Sequence, residues 1–481
     1  MLVLALDLGT SSVRAALFGA DGRRHLSSTV QQTYPLRTAA DGMAELDPQE
    51  VLAATRACLI GALAKRQRTP ALRRQAVVAV GVSSFWHGLM GTDAEGRPLT
   101  PILTWADSRC CADAAQLRAH YDEADYHSRT GCMLRASFWP AKLAWLRRAQ
   151  PRVWRQVARW WSPADWMQWR LLGGDPLALA TAHGMATGTG LYDPTAMTWA
   201  AEPLLAAGLD LGQVPVIRDE PMRVPSSALG GLLSDALWFP AIGDGAANNL
   251  GVGATEPNVA AINFGTSGAI RVVQHGGAQT PLGLFRYRID TQRSLVGGAI
   301  SNAGGLRQWC LDTLRLPAAA GLEAAMAARP QPSPHLGVLP FWLAERAPTW
   351  REDLSGAIIG LRQSTTALDL YQAITEATYQ RLATILDRLP TRGRLRVIVG
   401  GGIQHSPAAV QRLADCLGVP LIISGEPETS LRGAAVLALE RLGARRLTPE
   451  LGQTVRPRAA MVGAYAQQRR MLAALEKRLL P

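Results

Sequence analysis

The sequence is nearly without lysine. Of its 50 basic residues only Lys65, Lys142 and Lys477 are lysines, and the remainder are arginines spread along the chain. Against 38 acidic residues they leave a formal charge of +12. Blocks of like charge mark nucleic-acid or lipid partners, and this scatter fits an Arg- and Ala-rich composition better than a polyanion partner. Cysteine is scarce too. Cys58, Cys110, Cys111, Cys132, Cys310 and Cys416 include no Cys-x-x-Cys pair and no histidine at zinc spacing, which argues against a zinc module and a disulfide scaffold. They read as reduced, mostly buried thiols of a cytoplasmic protein. No window approaches the roughly 18 apolar residues of a membrane span. No basic segment precedes the short apolar start, so no signal peptide is expected. The phosphate-loop pattern Gly-x4-Gly-Lys-Ser/Thr is absent, and His405 stands where a dinucleotide fingerprint would need its third glycine.

What is present is a repeated turn. Leu2 to Phe18 reads as an apolar strand ending at Asp7, then Leu8-Gly9-Thr10-Ser11-Ser12, then a second apolar strand. Val259 to Val273 repeats the plan around Gly265-Thr266-Ser267-Gly268. Each stretch predicts a β-hairpin whose turn offers backbone N–H groups and hydroxyls to a phosphate. Asp7, at a strand end, can hold Mg²⁺. The echo, half a chain apart, suggests two related domains facing each other. A length of 481 residues, 48% of them hydrophobic, suits two cores.

Between the hairpins, Arg24 to Leu36 predicts a third strand. A helix begins at Pro48 with Asp47 as N-cap and runs to about Ala64. Ala76 to Val82 is a buried strand, followed by His87 and then by Pro101 to Arg109. These strand ends cluster aromatic and charged side chains, as polar-ligand pockets do; Asp107 and Arg109 could equally be a surface ion pair. Residues 137 to 170 interleave Trp and Arg. A single-strand nucleic-acid platform has that composition, but Leu143, Leu146, Trp154, Val157 and Trp161 fall at amphipathic helical spacing, which is the preferred reading. Gly243-Asp244-Gly245 is a turn directly before the second hairpin. Further on, a Gly-rich junction spans Val296 to Trp309. A Pro-rich loop carries Glu345-Arg346, and Leu368 to Leu389 is a long helix. A strand at Leu395 to Val399 runs into Gly400-Gly401-Gly402 and a helix starting at Ser406-Pro407, a layout that favours an anion at the helix N-terminus.

These motifs, from Asp7 to Gly433, resemble the FGGY family of carbohydrate kinases. The resemblance implies an α/β fold of two ribonuclease H-like (actin/sugar-kinase type) domains facing a central cleft, split at residues 1–240 and 241–481. It implies ATP and Mg²⁺ as cofactors and a sugar or sugar acid as the small-molecule partner. No nucleic acid or membrane is expected, and a homodimer is admitted as an assembly. Asp244 takes the place of the catalytic base and also touches the acceptor. Gly9, Thr10, Ser11, Gly265, Thr266 and Ser267 would grip the phosphates, with Asp7 on the metal. Gly304, Gln308, Gly401, Gly402 and Ser406 would lie near the adenosine. His87, Trp105, Asp107 and Arg109 would hold the polyol. Three departures stand out: Trp139 occupies a Pro, Ser or Thr position three residues before Lys142, Val410 replaces a tryptophan, and Thr375 replaces an apolar residue. Trp86-His87-Gly88, Thr104 to Arg109 and Gly243 to Gly251 are most similar to gluconokinases, with xylulokinases second. Arg109 is the candidate partner for an aldonate carboxylate. An ATP-driven conformational protein on the same fold would need no sugar pocket and no Asp244.

Overall fold

A computed structural model describes residues 1–174, 180–276, 280–391, 393–444 and 447–479. The first hairpin is β1 (Leu2–Leu8) against β2 (Ser12–Gly19), in a register that sets Asp7 opposite Arg14. β3 (Val30–Thr33) adds antiparallel to β2. It is shorter than the strand expected over Arg24 to Leu36. Ser28 accepts the Leu17 N–H and donates to the His25 carbonyl, which winds Leu26–Ser28 into a 3-10 turn instead. Helix α1 (Pro48–Arg68) follows, its first turn capped by the Asp47 carboxylate on the Gln49 and Glu50 N–H groups. β4 (Val77–Ser84) then lies parallel to β1. β5 (Met222–Arg223), β6 (Leu237–Trp238) and β7 (Ile242–Gly243) complete this sheet, β6 and β7 both parallel to β4. The pairing of β7 runs past residue 240, the expected boundary.

Helix α2 (Asp244–Gly251) leads into the second sheet. Its hairpin is β8 (Val259–Phe264) against β9 (Gly268–His275), flanked by β10 (Phe285–Arg288) and β11 (Arg293–Ile300). After α3 (Gly304–Thr313) and α4 (Ala367–Leu386), β12 (Arg396–Gly400) pairs parallel with β8. Helix α5 (Pro407–Leu417), β13 (Leu421–Ser424), α6 (Thr429–Arg441), β14 (Leu451–Val455) and α7 (Ala459–Leu479) end the chain. Both sheets therefore carry one plan: a hairpin, an antiparallel strand on its second arm, and two parallel strands beyond its first.

Strand alternation decides what each face meets. Leu2, Leu4 and Leu6 pack with Val51, Leu59 and Leu63 of α1, while Val3 and Ala5 pack with Leu431, Ala434 and Ala438 of α6. Helix α6 belongs to the second half of the sequence but covers the first sheet. In the second sheet, Ile262, Ile270 and Val399 pack against α4 and α5.

The Trp/Arg segment is packing, not a platform. Trp139, Trp160, Trp161 and Trp166 are at most 2% exposed. Helices cover Trp139–Ala149, Pro151–Gln156 and Pro163–Leu172, but Arg159–Trp161 is a strand paired with Met90–Thr92, so helical spacing does not extend through Val157 to Trp161. Among the described residues, no helix is long and apolar enough to cross a membrane.

Helices α2 and α6 cross at backbone contact. A β-carbon at Gly433 would lie 1.7 Å from the Ala247 carbonyl oxygen, and one at Gly251 would lie 1.8 Å from that of Thr429. Gly433→Ala must push the helices apart, at a cost of about 1–3 kcal/mol for overpacking. It is expected to lower the melting temperature and, because α2 begins with Asp244, to lower turnover as well. A variant that melts with wild type would show that the crossing yields freely.

Candidate active site

The two hairpins differ in what they face. In the first, Gly9 N–H donates to the Ser12 carbonyl at 2.9 Å, and the Tyr34 hydroxyl donates to the Gly9 carbonyl at 2.6 Å. This fixes Gly9 and Thr10 and leaves Ser11 exposed. Asp7 lies just behind the turn, 8% exposed, accepting a 2.8 Å hydrogen bond from Ser83. Arg14 reaches it only at 3.7 Å. In the second hairpin Gly265 N–H closes the turn on the Ser267 carbonyl at 2.9 Å. The N-terminus of α3 docks onto it: Gly304 N–H donates to Gly265 and Gly305 N–H to Thr266, each at 2.9 Å. A side chain at Gly304 would meet the Gly265 oxygen at 2.4 Å, so only glycine permits that approach.

Two cavities open from this second turn. The larger, about 770 Å³, is lined by Gly265, Thr266, Gly304, Gln308, Gly402 and Ser406, among others. Six of the expected phosphate and adenosine residues thus share one chamber. Ser406 is the N-cap of α5, accepting the Ala409 N–H at 3.2 Å and donating to Glu323 at 2.6 Å. Gly401 does not line it. Its φ of +86° and the 2.7 Å that would separate an added β-carbon from the Phe264 carbonyl both demand glycine. Gln308 is exposed and bonded to Asp312. Thr375 lines the same cavity, its hydroxyl satisfied by the Tyr371 carbonyl, which is why a polar residue is tolerated there.

The smaller cavity, about 160 Å³, is lined by Ser267 of the same turn. Asp244, His87 and Trp105 line it, together with Phe85, Trp86, Asn263, Arg271, Tyr287, Arg346 and Trp350. Asp244 is open to solvent at its floor, yet protein crowds it from the other sides. That desolvation raises its carboxyl above the usual range, against the pull of Arg271. His87 is held with φ at +67° and its ring Nδ1 2.5 Å from the Gly188 carbonyl. A carbonyl only accepts, so Nδ1 carries the proton and Nε2 is left as an acceptor. Burial pushes its pKa down to about 3, so the ring is neutral. Lys142, fully buried, donates to the His87 carbonyl at 2.6 Å and braces this strained residue.

Asp107 and Arg109 do not join this cavity. Asp107 accepts the Ala44 N–H at 3.1 Å and pairs with the Arg109 guanidinium at 2.6 Å. Arg109 also pairs with Glu45 and stacks on Trp145 at 4.3 Å. Asp107 and Glu45 pair its charge and Trp145 covers its face, so it is a structural cation outside this cavity and not the carboxylate receptor expected. Arg271 and Arg346 were not anticipated as site residues. Arg271 sits four residues past the second Gly-Thr-Ser turn on an apolar strand, where lone charge was the available signal.

Similarity to known proteins agrees with this geometry. Residues 2–223 match the N-terminal domain of the FGGY family of carbohydrate kinases, and residues 260–440 match its C-terminal domain. A gluconokinase of Bacillus subtilis is 25% identical over 464 residues, covering 92% of this chain and 88% of that protein. A glycerol kinase of Rhodospirillum centenum is 30% identical over 462 residues, covering 92% and 89%. The ligand-bound xylulose kinase structure from Lactobacillus acidophilus superposes with a TM-score of 0.90 at 24% identity, over 99% of this chain and 98% of that one.

Burial, with repulsion from Asp244 and Glu428, lifts the Asp7 pKa from 3.8 to about 6 despite the Ser83 hydrogen bond. The folded protein thus holds this proton more tightly than the unfolded chain. Stability of the ligand-free protein should fall as pH rises from near 4 to near 6, and the loss is complete above that. A difference in proton affinity of this size is worth at most ~3 kcal/mol. Asp7→Asn without MgATP is expected to melt above wild type at neutral pH and level with it near pH 4. A calorimetric scan showing the variant below wild type at neutral pH would make Asp7 a structural anchor.

Proposed function

We propose that this chain, which belongs to the FGGY family of carbohydrate kinases, transfers the γ-phosphoryl group of ATP to the terminal hydroxyl of D-gluconate. The carrying observation is Asp244. It is a solvent-open carboxylate with raised proton affinity, the one carboxylate among the described residues lining a small cavity, and the second hairpin lines both that cavity, through Ser267, and the larger chamber, through Gly265 and Thr266. Phosphoryl transfer needs positioning and charge neutralisation more than covalent chemistry, and the elements described can supply both. The Gly9–Ser11 and Gly265–Ser267 turns would hold the ATP phosphates by N–H groups and hydroxyls. Adenosine would occupy the chamber formed by Gly304, Gln308, Gly402 and Ser406.

The acceptor hydroxyl oxygen forms a bond to the γ-phosphorus as the bond to the bridging β,γ-oxygen breaks, and ADP leaves. Asp244 takes the hydroxyl proton. Neutral His87 accepts a hydrogen bond from a second hydroxyl through Nε2, and Trp86 and Trp105 wall the sugar. The Asp7 environment fits Mg²⁺: a buried carboxylate that feels the negative charge of Asp244 and Glu428 and whose salt-bridge partner Arg14 stands off at 3.7 Å. Bound there directly or through water, Mg²⁺ would neutralise phosphate charge.

An aldonate is preferred over a neutral acceptor because the cavity holds more cationic than anionic side chains, and because the Trp86–Gly88 and Gly243–Gly251 stretches resemble gluconokinases. A pentulose such as xylulose, or glycerol, is the alternative, since relatives named for each match nearly the whole chain. Asp244→Asn is expected to lower kcat by roughly 10²–10⁴-fold with ATP affinity kept; retention of more than about a third of wild-type kcat would remove Asp244 from the chemistry. Across gluconate, xylulose, ribulose and glycerol, gluconate should show the highest kcat/KM. A neutral acceptor in first place would refute the aldonate and leave the kinase intact.

A further inference from the structure

Among the described residues, the acceptor cavity has an unbalanced charge. Asp244 is the one carboxylate lining it, whereas Arg271 and Arg346 both do. His87 is neutral, and burial raises the Tyr287 hydroxyl well above its usual range, so neither offsets the excess. The arginines oppose each other as well. Burial and Arg271 together bring Arg346 down to about 10, and burial likewise lowers Arg271. A buried cation without a counter-charge is costly. The excess grows when Asp244 takes up the proton of the acceptor.

Their donors are not used up either. Arg271 Nε and Nη1 are buried with no acceptor, and so is Arg346 Nε. Arg346 spends one donor on the Ile300 carbonyl at 3.0 Å and lies over the Trp105 ring at 5.3 Å, which fixes its plane. Arg271 lies in a slot cut for it. A β-carbon at Gly297 would come within 2.9 Å of its Cγ, and one at Gly245 within 2.9 Å of its Nε. The contrast with Arg109, whose charge is paired by Asp107 and Glu45, is direct.

We infer that Arg271 and Arg346 together bind the carboxylate of the acceptor, so that the enzyme selects a monoanionic sugar acid by charge balance as well as by shape. Planar guanidiniums match a carboxylate in bidentate geometry. One negative charge brings the cavity of two cations and Asp244 to neutrality. A neutral sugar leaves the pair unsatisfied, and a dianion overshoots. This rests on the aldonate reading above and extends it to the recognising atoms. Group transfer is unchanged: O6 still bonds to phosphorus, and its proton still goes to Asp244.

Steady-state kinetics with MgATP on Arg271→Met and Arg346→Met provide the test. Each should raise KM for gluconate by about 10- to 100-fold, the loss expected when a buried charged hydrogen bond is removed. KM for ATP should stay within about twofold, and the gluconate-to-xylulose ratio of kcat/KM should fall. Arg346→Lys should recover part of the loss. A rise in KM for ATP instead, or an equal loss on both acceptors, would assign the pair to the phosphates or to structure and overturn the inference. A binding measurement on wild type keeps the question open to refutation if either variant fails to fold. Gluconate should raise the melting temperature, and gluconamide, its neutral analogue, should not; equal protection by both refutes the clamp. Wild-type preference for xylulose over gluconate would sink the aldonate reading itself. Preference for gluconate that survives both substitutions would sink the clamp alone.

Discussion

The backbone contact between α2 and α6 sets the geometry of the whole active site. Glycines on both helices let main chain meet main chain, with Gly433 over Ala247 and Gly251 over Thr429. Polar links then fix the pair in register. Asn248 donates to the Thr429 hydroxyl at 2.6 Å, and Arg432 donates to the Gly251 carbonyl at 2.6 Å. Gly81 of β4 makes room for the same helix, since a β-carbon there would lie 2.2 Å from the Ala434 oxygen. One helix therefore touches the first sheet on one side and the helix that Asp244 begins on the other. Asp244 starts that helix directly after β7, itself paired with β4. Its position is set by backbone on both sides and not by a flexible loop.

Within that frame, burial controls charge. Asp7 and Asp244 are both pushed towards protonation, and His87 is kept neutral. The site as it stands is short of cations around Asp7 and short of anions around Arg271 and Arg346. The proposed metal and acid substrate would meet these opposite deficits. Low local dielectric magnifies each of them.

The hairpins, the helix starts at Asp47 and Ser406, and the grouping of Gly265, Thr266, Gly304, Gln308, Gly402 and Ser406 around one cavity were legible because they are written in local chemistry. Turn glycines, capping residues and alternation leave marks within a few positions. The acceptor side was less so. Asp107 and Arg109 sit in a sequence context suited to a pocket, yet they pair with each other, and Glu45 and Trp145, distant in sequence, hold Arg109. Arg271 looked like an isolated charge on a strand of small apolar residues, and Gly297 and Gly245, which house it, carry no local signal. The strand at Arg159–Trp161 escaped for a related reason. A short buried run has no period of its own, and its partner Met90–Thr92 is remote in sequence.

The placement of α6 bears on how the chain can be made. Val3, Ala5, Ala16, Phe18 and Ala79 form one apolar face of the first sheet, and Leu431, Ala434, Ala435, Ala438 and Leu439 of α6 cover it. A nascent chain emerging N-terminus first can pair β1 to β4 early. That face then stays bare until residues 431–439, more than 340 positions after Ala79, have left the ribosome. Such long-range closure is slow and exposes aggregation-prone surface meanwhile. The N-terminal half is thus a poor autonomous folding unit, and the two halves are bound together already in biogenesis.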